Sequence, residues 1–152
     1  MLKINHVMKL ISFWPPYLAS GISVNTYNLE ESFVKIRLKT SRMNSNLFGT
    51  HFGGSLYSMC DPWFVFLVVN KLGRDFIVWD ISASIDFIKA TKKPVYAEFK
   101  IGREQFDEII EATKDGDTYK PIFTTKVYSD EEIVATVSKT IYIRKKKIQN
   151  SN

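Results

Sequence analysis

A single carboxylate inside an apolar stretch is the first candidate for chemistry in this sequence. Asp61 is the only charged side chain between residues 47 and 70, and Cys60 is its neighbour. An unpaired carboxylate is costly to bury, so such a residue is paired, hydrogen-bonded or used in catalysis. Asp61 is therefore predicted to act as a general base or nucleophile, or else as a structural carboxylate at an interface. Cys60 has no well-spaced His and acid to activate it, so we interpret it as a small apolar residue.

Two glycines precede Asp61 at the start of a predicted helix. Gly53 and Gly54 have no Cβ, so their backbone can approach a ligand closely. The first N–H groups of a helix have no partner within it, and the helix dipole is positive there. This helix start therefore fits an oxyanion site, and it fits tight packing at the helix entry equally well.

The elements that position these residues follow from hydrophobic periodicity. A central helix is expected to run from Gly53 to Gly73 with a bend at Pro62. Apolar residues spaced by three and four predict an amphipathic helix over residues 3–14, which Pro15-Pro16 ends. A short helix is expected over residues 103–114.

Alternation of apolar and polar residues predicts strands at 22–25, 33–38, 77–87, 95–101, 122–128 and 133–143. In the longest alternating pattern, the odd positions from Ile77 to Phe87 are expected to be buried. The last strand is expected to present one face made of Ile133, Ala135, Val137, Ile141 and Ile143. Lone helices between hairpins favour an α+β fold, with a mainly antiparallel sheet wrapped around one long central helix.

Composition indicates a single domain over residues 1–148 with a polar C-terminal tail at 149–152. The 152 residues are 45% hydrophobic and 24% charged, with a net charge of +5. The basic segment 144–147 is interpreted as a solubilising end, and we predict no nucleic-acid partner. The single cysteine favours a reducing compartment, the cytoplasm. No apolar run approaches the ~20 residues of a membrane span, and no ligand spacing indicates a metal or another cofactor.

The residues around Asp61 carry a resemblance to a known superfamily. The passage from Asn46 to Leu56 followed by Asp61-Pro62 resembles the hotdog-fold thioesterases and dehydratases, in an uncharacterised branch described as a domain of unknown function. The segments 78–80, 85–87, 134–135 and 142–144 resemble the same branch. The resemblance covers nearly the whole chain and implies a hotdog fold.

The better-understood relatives are acyl-CoA thioesterases of the phenylacetyl-CoA type, and their motif suggests catalytic residues. Asn46 matches their Asn, Gly53-Gly54 match their glycines, and Asp61 matches their catalytic acid. In those relatives the acid is base or nucleophile, a glycine N–H polarises the carbonyl, and the substrate binds at a dimer interface. The histidine departs from the pattern: Phe52 stands in the usual slot, and His51 lies one position earlier.

Further residues are candidates for substrate binding. Asp80, with Ser82 nearby, stands where some relatives place a Ser or Thr that orients water, and a second carboxylate near Asp61 would raise one pKa. The phosphates of a CoA are expected to contact the turn lysines Lys89, Lys92 and Lys93, and Phe52 is expected to contact the substrate.

Three functions are compatible with these residues. The first is hydrolysis of an acyl-CoA or acyl-carrier thioester, and the second is a non-catalytic dimer that binds a fatty-acyl or other apolar ligand. The third function, dehydration of a hydroxyacyl thioester, has weaker support, because such enzymes usually need a well-placed histidine with the acid and only His51 is near. A homodimer is expected in each case, with a tetramer left open, because pairing of the strand at 76–88 with its twin would cover an apolar edge.

Overall fold

The computed structural model describes residues 4–146. The helices are α1 (Ile4–Leu10), α2 (Pro15–Ser20), α3 (Gly53–Ser58), α4 (Trp63–Leu72) and α5 (Arg103–Thr113), with 3-10 turns at Ile11–Phe13 and Gly73–Asp75. The strands are β1 (Ile22–Asn28), β2 (Phe33–Leu38), β3 (Phe76–Phe87), β4 (Val95–Lys100), β5 (Thr118–Tyr119), β6 (Ile122–Ser129) and β7 (Glu132–Lys145). The predicted tail at 149–152 lies outside the described residues.

One antiparallel sheet packs against the central helix, as the periodicity predicts. The strand order is β1-β2-β4-β6-β7-β3, and the short β5 pairs with β7. The apolar face of α4 meets the inward face of the sheet, where the Phe64 ring lies 5.1 Å from that of Phe99 and 5.0 Å from that of Phe123, measured between centroids. Within this order β1 and β3 are the outer strands, so the backbone of β3 has one unpaired side.

The N-terminal segment differs from its prediction. The first helix ends at Leu10 rather than at residue 14, and Pro15 and Pro16 begin α2 instead of only ending α1. Proline is well suited to the first turn of a helix, because its fixed φ is helical and its missing N–H would have no partner there. Gly21 ends α2 in the left-handed conformation, with φ at 71°.

A β-bulge interrupts β3. Asp80 is opposite Ile141 and Ser82 is opposite Thr140, so Ile81 is an extra residue with no partner on β7. Side chains alternate along a strand, so one extra residue moves the inward-facing set from even to odd positions. Asp80 therefore faces inward as the last of the even-numbered residues before the bulge, after Phe76 and Val78.

The prediction that odd positions of β3 are buried throughout is wrong, because even positions face inward before the bulge and because Ala83 and Phe87 are exposed after it. Before it, the residues that pack against the core are Phe76 and Val78; after it, the inward residue is Ile85. Trp79 is 49% exposed and stacks on Tyr142 on the outer face of the sheet, with ring centroids 4.4 Å apart. The alternation of β2 and β4 is as predicted, and so is that of β7 from Ala135 to Ile143. At the start of β7 the prediction is wrong: another bulge makes Val134 the buried residue in place of Ile133.

No helix within residues 4–146 is long and apolar enough to cross a membrane.

Candidate functional site

Asp61 lies outside the helices, in the break between α3 and α4. Pro62 has no N–H and disfavours helical conformation in the residue before it, so the predicted bend is a complete break. Side chains bind carbonyls at the break: the Tyr17 hydroxyl donates to the last carbonyl of α3 at 3.2 Å, and the Trp63 indole donates to the Met59 carbonyl at 2.6 Å. The break is thus well supported, and the Asp61 side chain is 57% exposed.

A buried lysine connects the two carboxylates of the predicted site. The side chain of Lys139 is only 1% exposed, and its ammonium lies 3.0 Å from Asp61 Oδ1 and 2.9 Å from Asp80 Oδ2. It also donates to the backbone carbonyl of Asp61. An ammonium has three donors, and these three acceptors use all of them. The sequence left open whether Asp61 and Asp80 meet, and the structure joins them through Lys139, which was not among the predicted site residues.

The environment sets the protonation of this cluster. Burial raises the pKa of Asp80, and its hydrogen bond to Lys139 opposes that shift. Burial lowers the pKa of Lys139, but hydrogen bonds to Asp80 and Asp61 outweigh it and leave the pKa raised. Lys139 is therefore a permanent ammonium at neutral pH and cannot serve as an amine nucleophile.

Lys139 occupies an inward position on β7. It lies opposite Ala83 on β3 and opposite Phe123 on β6. The odd positions of β7 from 135 to 143 are all buried, and Lys139 is the one charged member of that set. The sequence does contain a signal for this residue, because Lys139 falls at an odd position between the apolar residues Val137 and Ile141. The predicted face omitted position 139.

An apolar cavity of about 500 Å³ adjoins Asp61. The N-terminal segment supplies one wall and the helix break the other; the lining residues are His6, Val7, Leu10, Ile11, Phe13, Trp14, Asp61, Pro62 and Phe66. Ligand pockets of this volume, lined mainly by apolar side chains with a few polar groups, are typical of small-molecule sites. The carboxylate of Asp61 is thus placed beside a space that suits an apolar ligand.

A second cavity, of about 280 Å³, collects three of the four other predicted catalytic residues, without Gly54. Asn46, His51 and Gly53 line it together with Phe87 and Lys89, while Asp61 is not among its lining residues. The structure therefore divides the predicted catalytic set between two cavities of one chain.

Asn46 organises the loop before α3. Its amide N–H₂ donates to Thr50 Oγ1 at 2.9 Å and to the His51 carbonyl at 3.3 Å. Its side-chain oxygen accepts from the N–H groups of Phe48 at 2.9 Å and Thr50 at 3.1 Å. The Asn46 amide thus uses its two donors and two acceptor positions within the loop, which is a structural role. Its predicted role in orienting a substrate stays a prediction.

His51 is buried and binds neighbouring loops. Its Nε2 lies 2.8 Å from the Lys93 carbonyl and 3.0 Å from Thr40 Oγ1. The carbonyl only accepts, so Nε2 carries the proton and Nδ1 is a buried acceptor without a partner among residues 4–146. Burial lowers the pKa of His51, and the hydrogen bond to Lys93 partly opposes this. The neutral imidazole thus connects the start of the loop to the turn at 91–93.

Aromatic rings pack closely against both glycines of the pair. A Cβ on Gly53 would lie 2.9 Å from the Phe87 ring, and one on Gly54 would lie 2.3 Å from the Phe52 ring. Phe52 is 56% exposed and immediately precedes α3. The aromatic side chain in the usual histidine slot therefore covers the helix start, which favours the packing interpretation; the oxyanion role stays a prediction.

Comparison with known proteins places the chain in a family. The family model described as a domain of unknown function, DUF4442, matches residues 5–143. The chain belongs to this family. No curated protein matches the chain.

Solved structures establish the fold of this DUF4442 chain. A Pseudomonas aeruginosa protein of unknown function, described as a probable thioesterase, has a TM-score of 0.79 at 17% identity and covers 95% of this chain and 97% of its own. A Haemophilus influenzae thioesterase gives 0.68 at 10% identity, covering 99% and 96%. The phenylacetic acid degradation protein of Thermus thermophilus gives 0.59 at 17% identity, covering 86% and 98%. The fold is the hotdog fold, as the resemblance implied.

The remaining predicted contacts lie on the surface of this DUF4442 chain. Lys89 pairs with Glu132 at 2.5 Å, and Lys93 pairs with Asp130 at 2.9 Å. Ser82 is exposed on β3 just after the bulge. The roles of these residues and of Lys92 toward a substrate stay predictions.

The thiol beside Asp61 is inert at neutral pH. Burial raises the pKa of Cys60 to about 12, although the nearby Lys139 opposes the shift. A thiol with so high a pKa carries almost no thiolate, which is the nucleophilic form. Cys60 is a core residue, as its position suggested.

Proposed function

We propose that this chain hydrolyses an acyl thioester, carried by CoA or by a carrier protein, with Asp61 as general base or nucleophile. The observation that carries the proposal is the position of Asp61: an exposed carboxylate, fixed by a buried ammonium, on the rim of an apolar cavity. An acyl chain in that cavity brings the thioester carbonyl toward the carboxylate. Similar hotdog structures described as thioesterases support the same reaction class.

The chemistry requires one proton acceptor and one leaving group. As a general base, Asp61 takes a proton from water while the water oxygen attacks the thioester carbonyl. The tetrahedral intermediate then expels the thiolate, which receives the proton from Asp61, and the acid and the thiol leave. As a nucleophile, Asp61 instead forms a mixed anhydride with release of thiolate, and water hydrolyses the anhydride.

We infer that the complete site forms in a homodimer. Asp61 and the loop bearing Asn46 and Gly53 line different cavities, so a second copy can bring the predicted oxyanion groups to the carboxylate. The outer strand β3 supports pairing between copies, since Trp79, Ile81 and Phe87 on it are largely exposed. Light scattering after size exclusion tests this: a mass of one chain refutes the dimer, and four chains would indicate a tetramer.

A second function, binding of an apolar ligand without turnover, is favoured by one observation. Phe52 covers the helix start, and His51 is buried in the loop, so neither provides a polar group at the place where relatives have a histidine. Such a protein would bind an acyl chain in the cavity beside Asp61 and leave the thioester intact.

A panel of acyl-CoAs, from short to long and aromatic, separates the two functions. We expect turnover by the wild type and a loss of about 10²- to 10⁴-fold in Asp61→Asn, the usual contribution of a general base. Asp117→Asn, an exposed carboxylate in the loop after α5, is the matched control and should keep full activity. Hydrolysis that persists in Asp61→Asn contradicts the proposed role. Absence of turnover with an acyl ligand in native mass spectra supports the binding function.

A further inference from the structure

The ammonium of Lys139 has no part in the reaction scheme above, yet it is almost fully buried. Burial of a charged amine is unfavourable unless partners compensate it, and here two carboxylates and a carbonyl do so. One of those carboxylates, Asp61, is 57% exposed beside the apolar cavity. The lysine therefore connects the interior of the sheet to the rim of the cavity.

The contacts of Lys139 with Asp61 are of two kinds. One is with the carboxylate, at 3.0 Å from Oδ1, and the other is with the backbone carbonyl of the same residue. Because the same ammonium donates to both the main chain and the side chain of Asp61, it restricts the rotation of the Asp61 side chain. The residue so fixed lies in the break between α3 and α4, where its N–H donates to the Ser58 carbonyl at 3.2 Å and its own carbonyl accepts from Lys139.

We propose that Lys139 is the positioning residue of this site: its buried ammonium fixes the Asp61 carboxylate at the rim of the apolar cavity, with Asp80 as the second counter-charge. The catalytic part rests on the proposed function, whereas the charge arrangement does not depend on turnover. Lys139 itself does not touch substrate, because its three donors are used within the chain.

Asp80 balances the charge of the cluster. With two carboxylates and one ammonium, the cluster carries a net charge of −1. Asp80 is 28% exposed, and its second oxygen is buried without a hydrogen-bond partner among residues 4–146. Asp80 thus competes with Asp61 for the ammonium. Removal of Lys139 should favour the protonated form of Asp61, whereas removal of the Asp80 charge should favour its ionised form.

The other groups that face the cluster are few. The Tyr57 ring of α3 lies 6.0 Å from the ammonium, Cys60 and Tyr17 are close enough to interact electrostatically with Asp61, and His6 of α1 lines the same cavity. Burial raises the pKa of both Tyr17 and Cys60, so these two are neutral around pH 7. His6 is the histidine that lines this cavity, and His6→Gln removes its signal from the titration experiments.

The test compares Lys139→Met, Asp80→Asn and the exposed control Lys126→Met on β6. In Lys139→Met, Asp61 loses its cation and retains a neighbouring carboxylate, so the acid limb of the pH–rate profile should move to higher pH. A misplaced base of this kind costs about 10²-fold in kcat with KM nearly unchanged. In Asp80→Asn the ammonium serves Asp61 alone, so the acid limb should move to lower pH. Lys126→Met should change neither.

A second readout separates this inference from the proposed function. The ¹³C resonance of the Asp61 carboxyl, assigned with Asp61→Asn, reports its titration whether or not any thioester is hydrolysed. We expect its midpoint to rise in Lys139→Met and to fall in Asp80→Asn. If the wild type turns over no thioester and these shifts occur, the proposed function fails and the charge arrangement stands. Midpoints that do not move in either variant overturn the inference, and Asp80→Asn decides it if Lys139→Met does not fold.

Discussion

The charge cluster makes a sharp prediction about stability, because one ammonium serves two carboxylates. Asp→Asn keeps the shape of the side chain and an acceptor for Lys139, and removes only the charge. At an effective dielectric constant of 20, the attraction between unit charges 3.0 Å apart is about 5 kcal/mol before desolvation. Either single variant leaves Lys139 one charged partner, so we expect each to reduce the free energy of unfolding by at most about 1 kcal/mol: Asp61 is more than half exposed, and the burial of Asp80 offsets its attraction to Lys139.

The double variant should be far worse than the sum of the singles. With both carboxylates neutral, the buried ammonium has no counter-charge, which typically costs about 3–5 kcal/mol. Adding Lys139→Met to the double variant should recover most of that loss, since an apolar side chain of similar length replaces an unpaired charge. Urea denaturation at pH 7, with the midpoint and slope measured for each variant, provides the free energies. Additive losses, or a triple variant less stable than the double, would refute the proposed sharing of one cation.

Two further predictions concern His51 and the apolar cavity. Because burial lowers the pKa of His51, its neutral form contributes stability that is complete above the unfolded pKa of about 6.5 and is lost as pH falls toward the lower folded value. His51→Gln should therefore remove up to about 1.4 kcal/mol per pH unit from the slope of stability against pH in that window, and equal slopes would contradict the neutral assignment. Calorimetric titration with a free fatty acid should give at least about fivefold tighter binding to Asp61→Asn than to the wild type, since like charges about 4 Å apart repel by ~1 kcal/mol even in water. A fatty alcohol of equal length should bind both proteins alike, and a fatty acid that prefers the wild type would place the ligand elsewhere.

The sequence alone predicts the elements that periodicity governs. The strands β2 and β4 alternate without interruption, and their buried and exposed residues are those expected. The helix at 103–114 is confirmed because Phe106 and Ile109 bury one face at helical spacing. These features depend on local pattern, and local pattern is what a single sequence contains.

Two elements of the fold depend on information that the pattern does not contain. The bulge at Ile81 cannot be recognised from alternation, because residues 76–79 are all apolar and fit either face, and only the pairing with β7 reveals the extra residue. The second N-terminal helix was missed because Pro15-Pro16 signals a helix end and a helix start equally well. In each case the neighbouring strand or the following chain decides between two local interpretations.

The candidate site was predicted in part. Asp61 is a candidate from its place in an apolar stretch and Asp80 from the resemblance, and the structure brings both to one ammonium. Lys139 was missed because charged residues usually lie on the surface. A buried lysine can be predicted only when the carboxylates that pair with it are known. The contact of Lys139 with residue 61 spans 78 positions and the contact with residue 80 spans 59, so no local window includes either pair.

Three exceptions to local pattern in this chain meet at one place. Pro62 interrupts the central helix, the bulge at Ile81 turns Asp80 inward, and Lys139 introduces a charge into the apolar face of β7. Each feature alone costs stability: a helix break loses hydrogen bonds, a bulge leaves a residue unpaired, and a buried ammonium requires counter-charges. Together they compensate one another, because the break supplies Asp61 and its carbonyl, the bulge supplies Asp80, and the lysine binds all three acceptors. Departures from local rules concentrate at functional sites, so this convergence beside the apolar cavity is the strongest reason to look for chemistry at Asp61.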